Sequence, residues 1–249
     1  MIWFKCLVSR NSMTRKSHDR IIEEIGECFK LLNIEKEKNM RTHKPYGPYE
    51  KYFKRPIDFL CGILAIIVFS WLYVILIILG TIFMRGNPFF TQERPGKDGR
   101  VFKLIKFRSM DNRKDKDGNL LPDSVRLNRY GRVLRKTSLD EIPEMFNIIK
   151  GDMSLIGPRP LLVQYLPLYS ERQRHRHDVR PGLSGYAQVN GRNSITWTHK
   201  FELDCEYVDK ITFMIDLKIL LQTIEKAFVK KEGISSATSD TMEDFDGTN

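Results

Sequence analysis

From Phe59 to Met84 the chain runs 26 residues without a formal charge, rich in Ile, Leu, Val, Phe and Trp. No other feature restricts the fold as strongly. A helix needs about 20 predominantly apolar residues to cross a hydrocarbon core roughly 30 Å thick. In a soluble domain, a helix apolar on all sides would need apolar neighbours all round it. A membrane is therefore the expected surroundings of this segment. Lys51, Lys54 and Arg55 precede it, and Arg85, Arg94 and Lys97 follow it. Positive residues favour the cytoplasmic side, and here both flanks are basic. A helix that enters one leaflet, bends and returns satisfies that rule. So does a single span with basic anchors at each interface, and charge alone does not separate the two. The segment has no proline; Ser70, near its middle, is placed to loosen the helix by bonding back to the preceding turn.

The remaining length suits one catalytic domain with extensions. Lys and Arg number 41 against 31 Asp and Glu, a formal net charge of +10. Such a balance attracts polyanions: nucleic acid, anionic lipid or phosphorylated small molecules. The basic residues are spread through the chain, and no basic region, zinc finger or RNA-recognition motif stands out, so nucleic acid is not an expected partner. Cys6, Cys28, Cys61 and Cys205 form no C-x-x-C pair, which supports neither a zinc site nor a disulfide framework. Met1 to Val8 is apolar but interrupted by Lys5, and no cleaved signal is expected.

Four regions follow. Residues 1–50 form an extension in which Ile21, Ile22, Ile25, Cys28, Phe29 and Leu32 recur at helical spacing, ahead of a linker over Arg41–Tyr49. Residues 51–85 carry the membrane helix, and 86–230 the catalytic domain. Residues 231–249, with five acids after Lys231, read as an acidic disordered tail. Within the domain, the alternation over Val101–Phe107 predicts a strand. Helices are expected over Ile142–Ile149, Leu161–Arg174, Trp197–Lys210 and Asp216–Lys230.

The chemistry concentrates between Lys136 and Pro160. Pro143 lacks an N–H and belongs in the first turn of its helix, which puts Asp140 and Glu141 at or beside the N-terminus. Ser138-x-x-Glu141 matches a capping box, a purely structural use of these residues. The same position suits a site: helix N–H groups lower a carboxylate pKa and hold phosphate, and two adjacent acids can bind Mg²⁺ while one attacks phosphorus. Gly157-Pro158-Arg159-Pro160 is either a turn with an exposed arginine or a preorganised guanidinium for phosphate. Arg180–Gly185 and Gln188–Arg192 supply two more turns that carry arginine. Lys106-Phe107-Arg108 adds charge after the strand, or protects a strand edge. His175 and His177, among Arg172, Arg174 and Arg176, read as a solvated or membrane-facing basic run and not as a metal site.

Taken together, these motifs resemble the bacterial sugar transferase family, the monotopic phosphoglycosyl transferases that act on undecaprenyl phosphate. The resemblance starts at Lys54-Arg55-Pro56-Ile57-Asp58 and runs through Thr91–Gly96, Phe102–Met110 and Ser138–Pro143. It continues through Gly157–Pro160, Arg180–Gly185, Gln188–Arg192, Asp204 with Tyr207, and Asp216-Leu217. It implies that Asp140 attacks the sugar-linked phosphorus of a UDP-sugar and expels UMP. The covalently held phosphosugar then passes to undecaprenyl phosphate, the work of a transferase of substituted phosphate groups. Glu141 would help hold Mg²⁺ with Asp140, or orient Asp140. Arg159, Arg108 and Lys106 would hold phosphate, and Arg192 the nucleotide or sugar; Gln188, Asp204 and Tyr207 are further candidates. The implied architecture is α/β and helix-dominated, with one re-entrant membrane helix, amphipathic helices at the interface and a compact domain on the cytoplasmic face of the bacterial inner membrane. Membrane lipid is then a partner, and homo-oligomerisation is open. Family members often bend this helix with Ser-Pro, whereas here Trp71 follows Ser70. The rival class is a non-catalytic membrane-anchored scaffold, which would not need Asp140 beside Glu141.

Overall fold

The computed structural model describes residues 43–191, 195–226 and 244–247. The chain divides into two units at His43–Lys44, and the site lies in the second, Lys44–Asn249. The helix expected in the N-terminal extension, Arg192, the end of the last helix and most of the acidic tail lie outside the described residues.

The long apolar segment is two helices and not one. One π-type turn, Tyr49–Phe53, leads into α1 (Lys54–Val68); α2 (Ser70–Met84) follows after a 65° bend. The bend falls at Phe69, whose φ and ψ of −96° and 11° leave the helical region, and no proline is needed. Hydrogen bonding bridges the break, from Phe69 N–H to Ala65 and from Tyr73 N–H to Phe69. Neither helix is long and apolar enough to cross a membrane alone, whereas the bent pair together has the length and composition. Leu60, Leu64, Ile67, Trp71, Val74, Ile78 and Ile82 are exposed along the pair.

The base of α1 is tied to the domain by polar side chains, which explains the Lys54–Asp58 motif. Lys54 Nζ meets Asp216 at 2.5 Å. Arg55 donates to the carbonyls of Ile148 and Ile149, at 2.6 and 2.8 Å, and so satisfies a helix C-terminus. Asp58 is buried and accepts from Ser154 Oγ and the Leu155 N–H.

β1 (Phe89–Pro95) pairs antiparallel with β2 (Val101–Phe107), the predicted strand, in a register from Phe89↔Phe107 to Pro95↔Val101. Phe102 and Leu104 pack with Ile148 and Met153, while Phe107 packs with Tyr73, Leu76 and Leu134. Side chains alternate along a strand, so Lys106 shares the parity of Phe102 and Leu104 and points inward. α3 (Arg129–Thr137) crosses close by: a Cβ on Gly131 would sit 1.8 Å from the Ser109 carbonyl oxygen. Ser138, at φ 56°, ends α3.

A 3-10 turn, Leu139–Glu141, then leads through Pro143 into α4 (Glu144–Lys150). The α-helix thus begins later than the expected Ile142, because Pro143 serves as its N-cap. Asn147 pins α4 to β2, accepting from the Ile105 N–H and donating to the Lys103 carbonyl. β3 (Ser154–Ile156) lies parallel to β4 (Gly182–Ser184). Their contact depends on glycine, since a Cβ on Gly182 would lie 2.1 Å from Gly157 N. That approach fixes the Gly157–Pro160 turn.

Leu161–Arg174 is not the single helix expected. Val163–Leu168 is 3-10 helix containing Pro167, which has no N–H to donate, and a capping box at Ser170 and Gln173 restarts the chain as Glu171–Arg174. α5 (Tyr186–Asn190) replaces the expected turn, and α6 (Trp197–Asp209) and α7 (Phe213–Ile224) follow it; a single helical turn, Asp123–Arg126, lies earlier, before α3. The basic run is not a solvated face throughout: Arg176 and His177 are buried, because Arg176 pairs with buried Asp204 at 2.8 Å. The tail departs from a disordered reading at Asp244–Gly247, where Phe245 is buried among Tyr165, Tyr169, Trp197 and Phe201.

Candidate active site

The Ser138 side chain makes no capping hydrogen bond to this turn, so the capping-box use of Glu141 does not hold. Glu141 turns instead toward cations. Its Oε1 accepts from Arg159 Nη2 at 2.5 Å and from Lys106 Nζ at 3.0 Å. Lys106 also meets Glu144 Oε1 at 3.1 Å. Asp140, Glu141 and Glu144 are all buried. Three short segments converge here: inward-facing Lys106 from β2, the acids from the turn before α4, and Arg159 from its proline-bracketed turn.

Burial opposes ionisation of Glu141, but Arg159 and Lys106 outweigh it and hold its carboxyl down to about 2. Asp140 behaves oppositely. Burial, reinforced by the charge of Glu141, outweighs Lys106 and Arg159 and pushes it up to about 6. A helix N-terminus was expected to lower both, yet for Asp140 the loss of water dominates. Glu144 is raised to about 7, burial and Glu141 outweighing Lys106. Burial works against the Lys106 ammonium, but Glu141 and Glu144 prevail and raise its pKa. Arg159 is raised as well, chiefly by Glu141. One of the paired acids is thus firmly ionised, and its neighbour is a more basic carboxylate.

A cavity of about 470 Å³ opens on this cluster, lined by Asp140, Glu141, Lys106 and Arg159 and by Arg94, Arg108, Arg126 and Arg135. Arg94, Arg108 and Arg126 each have a buried Nε–H without a hydrogen-bond partner among the described residues. Unpaired buried donors are costly, and a ligand rich in acceptor oxygens, such as a phosphate, would satisfy them. Asp140 Oδ1 and Glu141 Oε2 are likewise buried without a partner among the described residues. Two hard carboxylate oxygens with open lone pairs fit the protein share of a Mg²⁺ shell. Asp140, which lines the cavity, thus keeps one oxygen without a partner among the described residues, as a nucleophile requires.

Asp140, Glu141, Lys106, Arg108 and Arg159 therefore come together, as the sequence motifs suggested. Gln188, Asp204 and Tyr207 do not line the cavity. Gln188 donates to the Leu183 carbonyl. Asp204 accepts from Arg176, whose Nη2 also donates to the Arg159 carbonyl at 2.7 Å, so it bears on the site through Arg159. The Tyr207 hydroxyl lies within hydrogen-bonding distance of the Ile156 carbonyl and of Asp216, sharing its one proton between them. Sequence reasoning missed Glu144, Arg94, Arg126 and Arg135. Glu144 had a signal, lying one turn beyond Glu141 on the same side. Arg94 had one too, since it lies within the Thr91–Gly96 motif; Arg126 and Arg135 had none, since only folding brings them to one wall.

Comparison with known proteins agrees with this geometry. The bacterial sugar transferase family matches residues 49–230. The chain is 55% identical over 164 residues to the uncharacterized sugar transferase EpsL of Bacillus subtilis (strain 168), covering 66% of this chain and 81% of that one. It is 36% identical over 186 residues to an Aeromonas hydrophila UDP-N-acetylgalactosamine-undecaprenyl-phosphate N-acetylgalactosaminephosphotransferase, covering 72% of this chain and 44% of that one. It is 34% identical over 197 residues to the Klebsiella pneumoniae UDP-glucose:undecaprenyl-phosphate glucose-1-phosphate transferase, covering 75% of this chain and 42% of that one. A match across most of the chain, together with the convergence of the motif residues on one cavity, leads to one conclusion: the chain belongs to the bacterial sugar transferase family.

Proposed function

We propose that this chain transfers a phosphosugar from a UDP-sugar to undecaprenyl phosphate, releasing UMP, as an early membrane step in bacterial polysaccharide assembly. The carrying observation is one cavity lined by Asp140, a buried carboxylate, and by Arg94, Arg108 and Arg126; one oxygen of Asp140 and the Nε–H of each arginine have no hydrogen-bond partner among the described residues. The named activities of the Aeromonas and Klebsiella relatives support the same substrate classes.

In this reading Asp140 attacks the phosphorus that bears the sugar. The bond from that phosphorus to the bridging oxygen breaks, and UMP leaves with the electron pair. An acyl phosphate joins Asp140 to the phosphosugar. An oxygen of undecaprenyl phosphate then attacks the same phosphorus, a diphosphate linkage forms, and the Asp140 carboxylate is released. Lys106 and Arg159 hold Glu141 ionised, and Glu141 keeps negative charge beside Asp140. Arg94, Arg108 and Arg126 bind the phosphate oxygens, whose charge grows in the transition state. Mg²⁺, held by Asp140 and Glu141, would neutralise phosphate charge. The exposed apolar faces of α1 and α2 would lie in lipid, re-entering the cytoplasmic leaflet at the 65° bend. That arrangement would put the cavity near the headgroup of the acceptor.

The test is UMP release by purified protein in detergent with Mg²⁺, undecaprenyl phosphate and a panel of UDP-sugars. Release with one sugar that is lost in Asp140→Asn supports the reading. Release that survives the substitution removes Asp140 as nucleophile, and no release with any sugar favours a scaffold.

A further inference from the structure

Phe245 sits in a cage of four aromatic rings. Its ring centroid lies 5.0 Å from Phe201 and 5.7 Å from each of Tyr165, Tyr169 and Trp197, in edge-on, stacked and tilted contacts. Phe245 is 3% exposed. Beside it, Tyr165 OH donates to Asp244 Oδ1 at 2.8 Å. A ring for the cage and a carboxylate for the hydroxyl make a two-point recognition site, apolar and polar at once.

The cage abuts a route to the active site. The Arg176 guanidinium lies over the Tyr169 and Phe201 rings, at 5.9 and 5.6 Å, the rings that also meet Phe245. Arg176 Nη2 donates to Asp204 and, at 2.7 Å, to the backbone carbonyl of Arg159. Arg159 in turn holds Glu141 at 2.5 Å. The cage residues come from the Val163–Leu168 turn, Tyr169 and α6, so Phe245 joins elements that meet at Arg176. Arg176 is a positioning residue in this arrangement, since it touches Arg159 and lies off the cavity wall.

We propose that the cage is a docking site for an acidic–aromatic segment, filled by this chain's own Asp244–Phe245, and that its filling positions Arg159 through Arg176. Without Phe245, a ring-sized cavity would open against Tyr169 and Phe201, and the stack beneath Arg176 would loosen. Docking of a segment of the same chain is intramolecular, so a free peptide needs about millimolar concentration to replace it. Any effect on turnover rests on the phosphosugar-transfer reading; the docking itself does not.

The test compares backbone hydrogen exchange in the full chain and in Phe245→Ala, which needs no knowledge of the substrate. Exchange is expected to rise by about tenfold or more over residues 163–169 and 157–162. A peptide of residues 241–249, added at about millimolar concentration, should reverse the rise, and the same peptide with alanine at 245 should not. In the UMP-release assay, kcat should fall several-fold, with a smaller change in KM for the UDP-sugar. Unchanged exchange over 163–169 overturns the docking, and a rise there without one over 157–162 overturns the link to Arg159. If Phe245→Ala does not fold, Tyr165→Phe removes only the hydroxyl that meets Asp244. A smaller rise in both segments is then expected, and none overturns the proposal. A wild type without UMP release would sink the transferase reading while the exchange result still decides the docking.

Discussion

The Glu141 carboxylate receives Arg159 Nη2 at 2.5 Å and Lys106 Nζ at 3.0 Å on the same oxygen, Oε1, and its other oxygen has no hydrogen-bond partner among the described residues. Two cations on one lone-pair region fix the charge of Glu141 and leave Oε2 uncommitted among the described residues. Arg159→Ala should therefore lower kcat by about 10²–10³, the scale for removing one preorganised charge-stabilising donor. Arg159→Lys should recover little of that, because an ammonium cannot reproduce the planar fork. The loss of stability should stay below the roughly 3–5 kcal/mol of breaking a fully buried pair, since Lys106 remains and Arg159 is one-third exposed. Steady-state UMP release and urea unfolding measure the two effects.

Asp140→Asn keeps the side chain's size and removes the nucleophile that the proposed reaction requires. Turnover should fall by at least about 10⁴, the scale seen when a member of a nucleophilic unit is lost. The folded protein should not lose stability at pH 8, because burial already disfavours the charged form of Asp140. Trapping of a radiolabelled phosphosugar on wild type and its absence from the variant would separate attack from later steps.

Glu144 gives the fold a pH dependence of known sign. Burial raises its carboxyl from an ordinary 4.5 to about 7. A raised carboxyl favours the folded state when protonated, so its contribution is complete below about pH 4.5 and is lost as pH climbs through 7. Glu144→Gln, which stays neutral, should flatten that decline and match or exceed wild-type stability at pH 8. Denaturant midpoints at pH 5 and pH 8 decide it; an unchanged slope would mean that another group carries the titration.

The apolar face of α1 and α2 makes a separate prediction. Ile67 and Ile78 are 64% and 54% exposed. In the proposed membrane placement a lysine or aspartate there would face hydrocarbon, at about 2.5–3.5 kcal/mol near the centre of a bilayer. Ile67→Lys with Ile78→Asp should shift the protein from the membrane to the soluble fraction on cell lysis. Retention at the wild-type level would argue against lipid contact along this face.

Much of the local architecture was legible in the chain. The charge-free run dictated apolar helix, the period-2 alternation dictated β2, and Pro143 marked the start of α4, although it serves as the N-cap and leaves Asp140 and Glu141 in the 3-10 turn before that helix. These are properties of near neighbours, and backbone sterics and side-chain periodicity express them wherever the chain goes. The motif residues Lys106, Arg108, Asp140, Glu141 and Arg159 pointed to one candidate site because their chemistry is distinctive, and they line one cavity. Tertiary structure decided what those residues touch. Ser138-x-x-Glu141 fits a capping box by spacing, but the carboxylate gains more from two cations supplied by β2 and the Gly157–Pro160 turn. Arg176 looked like one more surface charge until α6 brought Asp204 against it. Arg94, Arg126 and Arg135 reach the cavity wall from three separate segments, and Phe245 finds its cage from a tail whose composition predicts disorder. In each case the deciding energy is desolvation or pairing between groups far apart in sequence, and that energy exists only once folding has removed the water between them.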